Sequence, residues 1–339
     1  MIFETCRAAL PDRLRPIYDV VYREFARWNG YVNVGGVSIE DIREVFFAVS
    51  NDHPELFYLS NQLSVSSSAS FFTRNCVIRC GFIFSREQTE EYKKRIEKVK
   101  AIISGRCAGL RTEAEKEKIV CDYLIETVDY AIDMTYNQNA ATVLCENVGQ
   151  CSGISRAAKL FFDHLGIESR IVFGDGRNDS GNYESHAWNI VKIDGAFYHL
   201  DVTYLIGANG LKKKPFCYPY LNRTDAQISV NHRWKGNYPV CNTEYKVSRG
   251  GGAGYAVGVT SRSPSVKTLH SLFAFKKEFT AALDEGKTEF VFYSEIPSPS
   301  TERLLTDLKN VSHCVLMARS EKSSFYISSE GKKITVKKI

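Results

Sequence analysis

Three residue types that together can run a nucleophilic displacement occur in order between Gly149 and Tyr204. Cys151 follows Gly149-Gln150, His186 stands in Ser185-His186-Ala187-Trp188, and Asp201 closes Tyr198-His199-Leu200-Asp201. A thiol attacks as its thiolate, an imidazole takes and returns the proton, and a carboxylate holds that imidazole in one tautomer. The chemistry this set could perform is acyl transfer. The sulfur would attack an amide carbonyl, the amine would leave, and a thioester would then be resolved.

The surrounding elements must bring the three together. After Cys151 the apolar residues Ile154, Ala157, Ala158, Phe161, Phe162 and Leu165 recur at spacings of three and four, a helical period. Gly166 stands where a left-handed cap favours glycine. Cys151 is therefore expected in the first turn of a buried helix. Unpaired backbone N–H groups and the helix dipole lower a thiol pKa there and offer donors to an oxyanion. Downstream, 186–193 and 196–204 read as strands around Asp194-Gly195, a two-residue hairpin signal. That turn pairs Ile193 with Ala196, Trp188 with Asp201 and His186 with Thr203. His186 and Asp201 then share a face as diagonal neighbours, and a one-residue slip would separate them.

At these residues the chain resembles the transglutaminase-like superfamily, whose core is shared with papain-like cysteine proteases. The resemblance is carried by Gly149-Gln150-Cys151-Ser152-Gly153, by Leu165 to Arg170, by Ser185 to Ile190 and by Tyr198 to Thr203. Tyr123 to Ile125 and Val128 to Ala131 resemble the preceding helix of bacterial members, and the likeness covers roughly residues 110–245. It implies Cys151 as nucleophile, His186 as general base and Asp201 as orienting acid. The implied substrate is a peptide or protein amide. Hydrolysis is favoured over crosslinking because the fittings of crosslinking enzymes are missing. The alternatives are a protein-glutamine transglutaminase or a non-catalytic peptide-binding module derived from this fold. The chain lacks the paired CxxC zinc ligands common in related glycanases, and no calcium-site or β-sandwich pattern of animal crosslinking enzymes is visible. Papain-like enzymes place an oxyanion glutamine several residues before the cysteine. Here Gln150 is adjacent, with Gln138, Asn139 and Asn147 further upstream. Gln150, Asn139 and Trp188 are the substrate or oxyanion candidates.

The other cysteines read as small core residues, with Cys145 a conceivable redox neighbour of Cys151. His199 shares a face with His186 and is the rival base, His164 reads as a surface residue, and for His232 a place at the border of the cleft is the lesser reading. Cys76 and Cys80 have the wrong spacing for a common zinc site. No metal and no cofactor are expected.

The fold class expected is α+β: a nucleophile helix packed on an antiparallel sheet, with flanking N- and C-terminal α/β regions. The divisions are 1–105, an N-terminal packing domain; 106–245, the core; 246–264, a glycine-rich linker; and 265–339, a small α/β domain. Within them, helices are expected at 14–25, 38–49, 85–100 and 112–132, strands at 56–59 and 70–84, and a polar loop at 136–147. The 339 residues carry a net charge of +5, with 44% hydrophobic and 24% charged residues, an ordinary balance for a globular protein. Its lysine runs are spread out, which argues against a nucleic-acid partner. No apolar run reaches the length of a membrane helix and no signal pattern opens the chain, so a cytoplasmic location with reduced thiols is expected, or secretion if a leader has been removed. The sequence sets no oligomeric state.

Overall fold

A computed structural model describes residues 3–69, 74–130, 138–177, 182–210, 212 and 214–245. Beyond these it describes 267–269, 279, 281–287, 289–294, 325–330 and 333–338. The chain forms two compact units, Met1–Ile206 with Tyr218–Gly250 and Gly207–Cys217 with Gly251–Ile339. The expected linker at 246–264 lies outside the described residues.

The first unit opens with α1 (Thr5–Ala9), α2 (Arg15–Ala26), β1 (Tyr31–Gly35), α3 (Ile39–Asp52), β2 (Leu59–Ala69), β3 (Arg74–Phe82) and α4 (Arg86–Cys107). Helices α3 and α4 begin where capping chemistry places them. Ser38 and Ser85 each accept the N–H three residues on, and Asp41 and Gln88 reach back to the cap N–H. Strands β1, β3 and β2 make an antiparallel sheet in that order.

The core follows with α5 (Glu113–Thr127), β4 (Asp129–Tyr130), α6 (Ala140–Glu146), β5 (Val148–Gly149), α7 (Cys151–Leu165), β6 (Ser169–Arg177), β7 (Tyr183–Ile193), β8 (Ala196–Leu200), α8 (Val202–Ala208), α9 (Asp225–Ile228) and β9 (His232–Trp234). Its antiparallel sheet runs β8-β7-β6-β9. Ile154, Ala157, Ala158, Phe161 and Phe162 of α7 are all fully buried, the large ones contributing about 1.5–3 kcal/mol each. Tyr123 of α5 packs edge-on against Phe161, ring centroids 5.7 Å apart. Asn189 of β7, also buried, donates to the Ser155 carbonyl at 3.1 Å and ties α7 to the sheet. This is the mixed helix and antiparallel-sheet class expected, with the cysteine helix against the sheet.

The second unit contains β10 (Lys267–Leu269), β11 (Glu289–Ser294), β12 (Phe325–Glu330) and β13 (Lys333–Lys338), ordered β10-β11-β13-β12. No helix among the described residues is long and apolar enough to cross a membrane.

Several expectations need correction. The polar stretch expected as a loop at 136–147 contains α6, whose N-cap Asn139 accepts the Thr142 N–H. The helix expected to reach Ile132 ends at Thr127, where Val128 turns extended. Residues 56–58 are not strand; the strand begins at Leu59 and runs through a serine-rich stretch. The hairpin register is Ile193 to Ala196 and Ile190 to His199 as read from the turn, but β8 stops at Leu200. Thr203 therefore lies in α8 and does not pair with His186.

Candidate active site

Cys151 is the first residue of α7. Gln150 before it is extended, with φ −95° and ψ 171°, and makes no side-chain cap. The first N–H groups of α7 thus lack helical acceptors. The backbone N–H groups of Ser152 and, from β7, Ala187 face the Cys151 sulfur and favour its thiolate. The hairpin and its Asp194-Gly195 turn, both residues at positive φ, carry His186 to the same place.

His186 donates Nε2–H to Oδ2 of Asp201 at 2.8 Å. That leaves Nδ1 for Cys151, whose thiolate and the imidazolium favour each other's charge. Asp201 has no accessible surface. Its Oδ1 accepts the Tyr204 N–H at 2.9 Å, the gain from ending β8 at Leu200: the first turn of α8 supplies a donor to the carboxylate.

Each group's charge state follows from its surroundings. Burial disfavours the Cys151 thiolate, but the His186 hydrogen bond and charge and the two backbone N–H groups outweigh it and hold the thiol below its usual range. Burial also disfavours a charged His186, yet Asp201, and then Cys151, push it up to about 10. Burial opposes ionisation of Asp201 too, and the histidines facing it hold the carboxyl well below the usual range. The arrangement therefore favours a thiolate–imidazolium pair at neutral pH.

The three substrate or oxyanion candidates occupy different positions. Gln150 lies beside Cys151, its Oε1 accepting from Nε2 of Gln138 at 3.0 Å. Asn139 spends its oxygen on the Thr142 N–H and hydroxyl, at 2.9 and 3.1 Å, as a helix cap. Trp188 is fully buried with Val172, Ile190, Ile228 and Cys241, beneath His186 rather than at the cleft surface.

His199, the rival base, is committed elsewhere. Trp188 Nε1–H donates to His199 Nδ1 at 2.9 Å, so the proton of neutral His199 is on Nε2, which donates to Asp225 at 2.8 Å. Burial keeps His199 neutral by lowering its pKa. His199, Asp225 and Cys241 are close enough to suggest metal ligands, but a ring with one nitrogen accepting and the other protonated has no lone pair for a metal. His164 is at the far end of α7 and bonds Ser104 at 2.7 Å.

Two further neighbours complete the site: His232, considered in the sequence only for the cleft border, and Tyr130, not singled out there. His232 of β9 donates Nε2–H to the same Asp201 Oδ2 at 2.8 Å. Tyr130, opposite Gly149 on the β4–β5 pair, is 48% exposed and within electrostatic range of Cys151, Asp201 and Glu184. The one available signal for His232 was Gly174-Asp175-Gly176: glycines two apart in a strand mark a close approach on one face. A Cβ at Gly176 would lie 3.0 Å from the His186 ring and 2.6 Å from the Tyr204 hydroxyl.

Residues 103–202 match the model of the transglutaminase-like superfamily, a span that includes Cys151, His186 and Asp201 and stops short of His232. No curated protein matches. Three solved structures show low similarity. A TGase structure has a TM-score of 0.30 and 13% identity, over 50% of this chain and 50% of its own. A protein assigned as a cysteine protease from Cytophaga hutchinsonii gives 0.29 and 12%, over 45% and 65%. A protein assigned as a protease from Parabacteroides distasonis gives 0.26 and 14%, over 41% and 36%. The match thus spans half of the first of these chains and less than two thirds of the second and third.

Proposed function

We propose that the transglutaminase-like core is a cysteine enzyme that cleaves peptide or protein amides through a thioester. One observation carries this reading: Cys151 heads α7 within interaction range of His186, whose Nε2–H donates to the buried Asp201 at 2.8 Å. The thiolate attacks the carbonyl carbon. The Ser152 and Ala187 N–H groups that faced the sulfur stand beside the developing oxyanion. His186 delivers its proton to the departing amine while Asp201 stabilises the imidazolium. Neutral His186 then activates water, which adds to the thioester and releases acid and thiol.

The transglutaminase alternative replaces that water with a lysine-type amine; the first half-reaction is the same. The test is to incubate the chain with a proteome-derived peptide pool and a tagged primary amine. New carboxyl termini or deamidated glutamines, lost in Cys151→Ala, are expected. Tagged peptides in excess of hydrolysed ones would replace hydrolysis with transamidation. Identical product profiles for the native chain and Cys151→Ala would overturn the enzymatic reading.

A further inference from the structure

Asp201 serves two histidines. His186 and His232 both direct Nε2–H at its Oδ2, each at 2.8 Å, with their ring centroids 5.5 Å apart. They approach from different strands, β7 and β9, across the glycine pair of β6. Gly176 pairs with both Glu184 and His232, and Gly174 with both His186 and Trp234, so these residues share one sheet face. His232 is 1% exposed and held on every side. Trp188 meets it edge-on at 4.8 Å, Tyr204 lies at 4.8 Å and Tyr220 at 6.0 Å. Its Nδ1 lies 2.7 Å from Oδ1 of Asn231, whose Nδ2–H donates to the Tyr220 hydroxyl at 2.8 Å. An amide oxygen facing Nδ1 suits a charged ring, and the amide turned over, which the donor and acceptor roles of the hydroxyl allow, suits a neutral one.

Resting on the acyl-transfer reading above, we propose that His232 is a positioning residue that occupies the same carboxylate oxygen as His186 and weakens the hold of Asp201 on the His186 proton. An oxygen that accepts two N–H groups binds each less strongly than it would bind one. If His232 is neutral it competes as a second donor, and if charged it also repels the His186 imidazolium. Both states act in the same direction. The function follows from proton transfer: an imidazolium gripped too tightly by a buried carboxylate is a poor acid toward a departing amine. Other charged or titratable groups around the pair are Cys151 on α7, Tyr130 on β4, Glu184 on β7, His199 on β8, Tyr204 on α8 and Tyr220 before α9. None of them bonds Asp201 Oδ2 among the described contacts.

The test measures Cys151 alkylation against pH with anionic iodoacetate and neutral iodoacetamide. The imidazolium favours the anionic reagent, so the rate ratio falls where His186 loses its proton. In His232→Phe, which keeps the ring and removes both nitrogens, that fall should move to higher pH by about one unit. His232→Gln, which can place an amide N–H at the same oxygen, should stay near the native profile. A folded His232→Phe with an unchanged profile, or one shifted to lower pH as a loosened Asp201 would give, overturns the proposal. If the native ratio shows no fall and Cys151 has no heightened reactivity, the acyl-transfer reading fails instead. Should His232→Phe not fold, ring-nitrogen NMR of the native chain decides. The His232 Nε2–H signal should move at the pH where His186 deprotonates; independent titration overturns the coupling.

Discussion

Replacing Asp201 with asparagine removes one buried charge and little volume. The His186 imidazolium beside it persists to about 10, against an ordinary 6.5. Coulomb's law gives the same scale: opposite unit charges about 4 Å apart, at an effective dielectric of about 20, interact by about 4 kcal/mol, or about three pH units. In Asp201→Asn the His186 titration should therefore fall to about 7. At about pH 8.5 the imidazolium population then drops about thirtyfold, and the Cys151 thiolate it supports reverts to thiol. The amide oxygen can still accept both imidazole N–H groups. Its NH2 must then face the Tyr204 N–H, which costs about 1–3 kcal/mol without unfolding the chain. The assay is ultraviolet thiolate absorbance at that pH, referenced to Cys151→Ser in each background, with circular dichroism to establish folding. A folded Asp201→Asn chain that keeps the native Cys151 absorbance refutes the argument, because His186 would then hold its charge without Asp201.

Three further outcomes follow from the geometry. Glu117 is fully buried, bonded by Asn222 at 2.7 Å, and burial pushes its carboxyl up to about 8 from 4.5. The native state thus binds this proton more tightly than the unfolded chain; that stability is present below about pH 4.5 and lost as pH rises to about 8. Across this window Glu117→Gln should gain on the native chain by about 1.4 kcal/mol per pH unit, read from urea melts at several pH values. Gly176→Ala should displace His186 or Tyr204, lowering Cys151 alkylation at least about tenfold for about 1–3 kcal/mol of stability; native alkylation kinetics would contradict the packing. Trp188→Phe leaves the buried His199 Nδ1 without its donor and opens space in the core, so thermal melts should show a loss of about 2–4 kcal/mol.

The sequence made the nucleophile helix and the hairpin readable because their signals are local. Apolar period, Gly166 at φ +75° and the Asp194-Gly195 turn each specify backbone within a few residues. Register then brings Asp201 near His186 without any tertiary knowledge. What stayed hidden depends on contacts distant in sequence. β8 ends at Leu200 because Asp201 bonds the Tyr220 carbonyl through its N–H and caps α8 through its side chain. His232 meets Asp201 across 31 positions, on a three-residue strand with too little pattern to read. β2 alternates too weakly, through Ser60, Ser64 and Ser66–Ser68, to look like a strand until β3 pairs with it. Asn139 drew attention as a polar residue upstream of the cysteine. Its short polar side chain serves equally well as a helix cap, and local chemistry decides for the cap.

The central claim is that chemistry around Cys151, rather than mere access, makes it the reactive thiol. Cys217 is the natural competitor, since it is exposed while Cys151 is half-buried, and burial raises its pKa. Limiting iodoacetamide at neutral pH, with adducts at all ten cysteines quantified by mass spectrometry, compares them directly. Cys151 should react at least about tenfold faster than Cys217 and lose that advantage in His186→Ala. Alkylation that follows exposure, with Cys217 first and Cys151 indifferent to His186, would contradict the account.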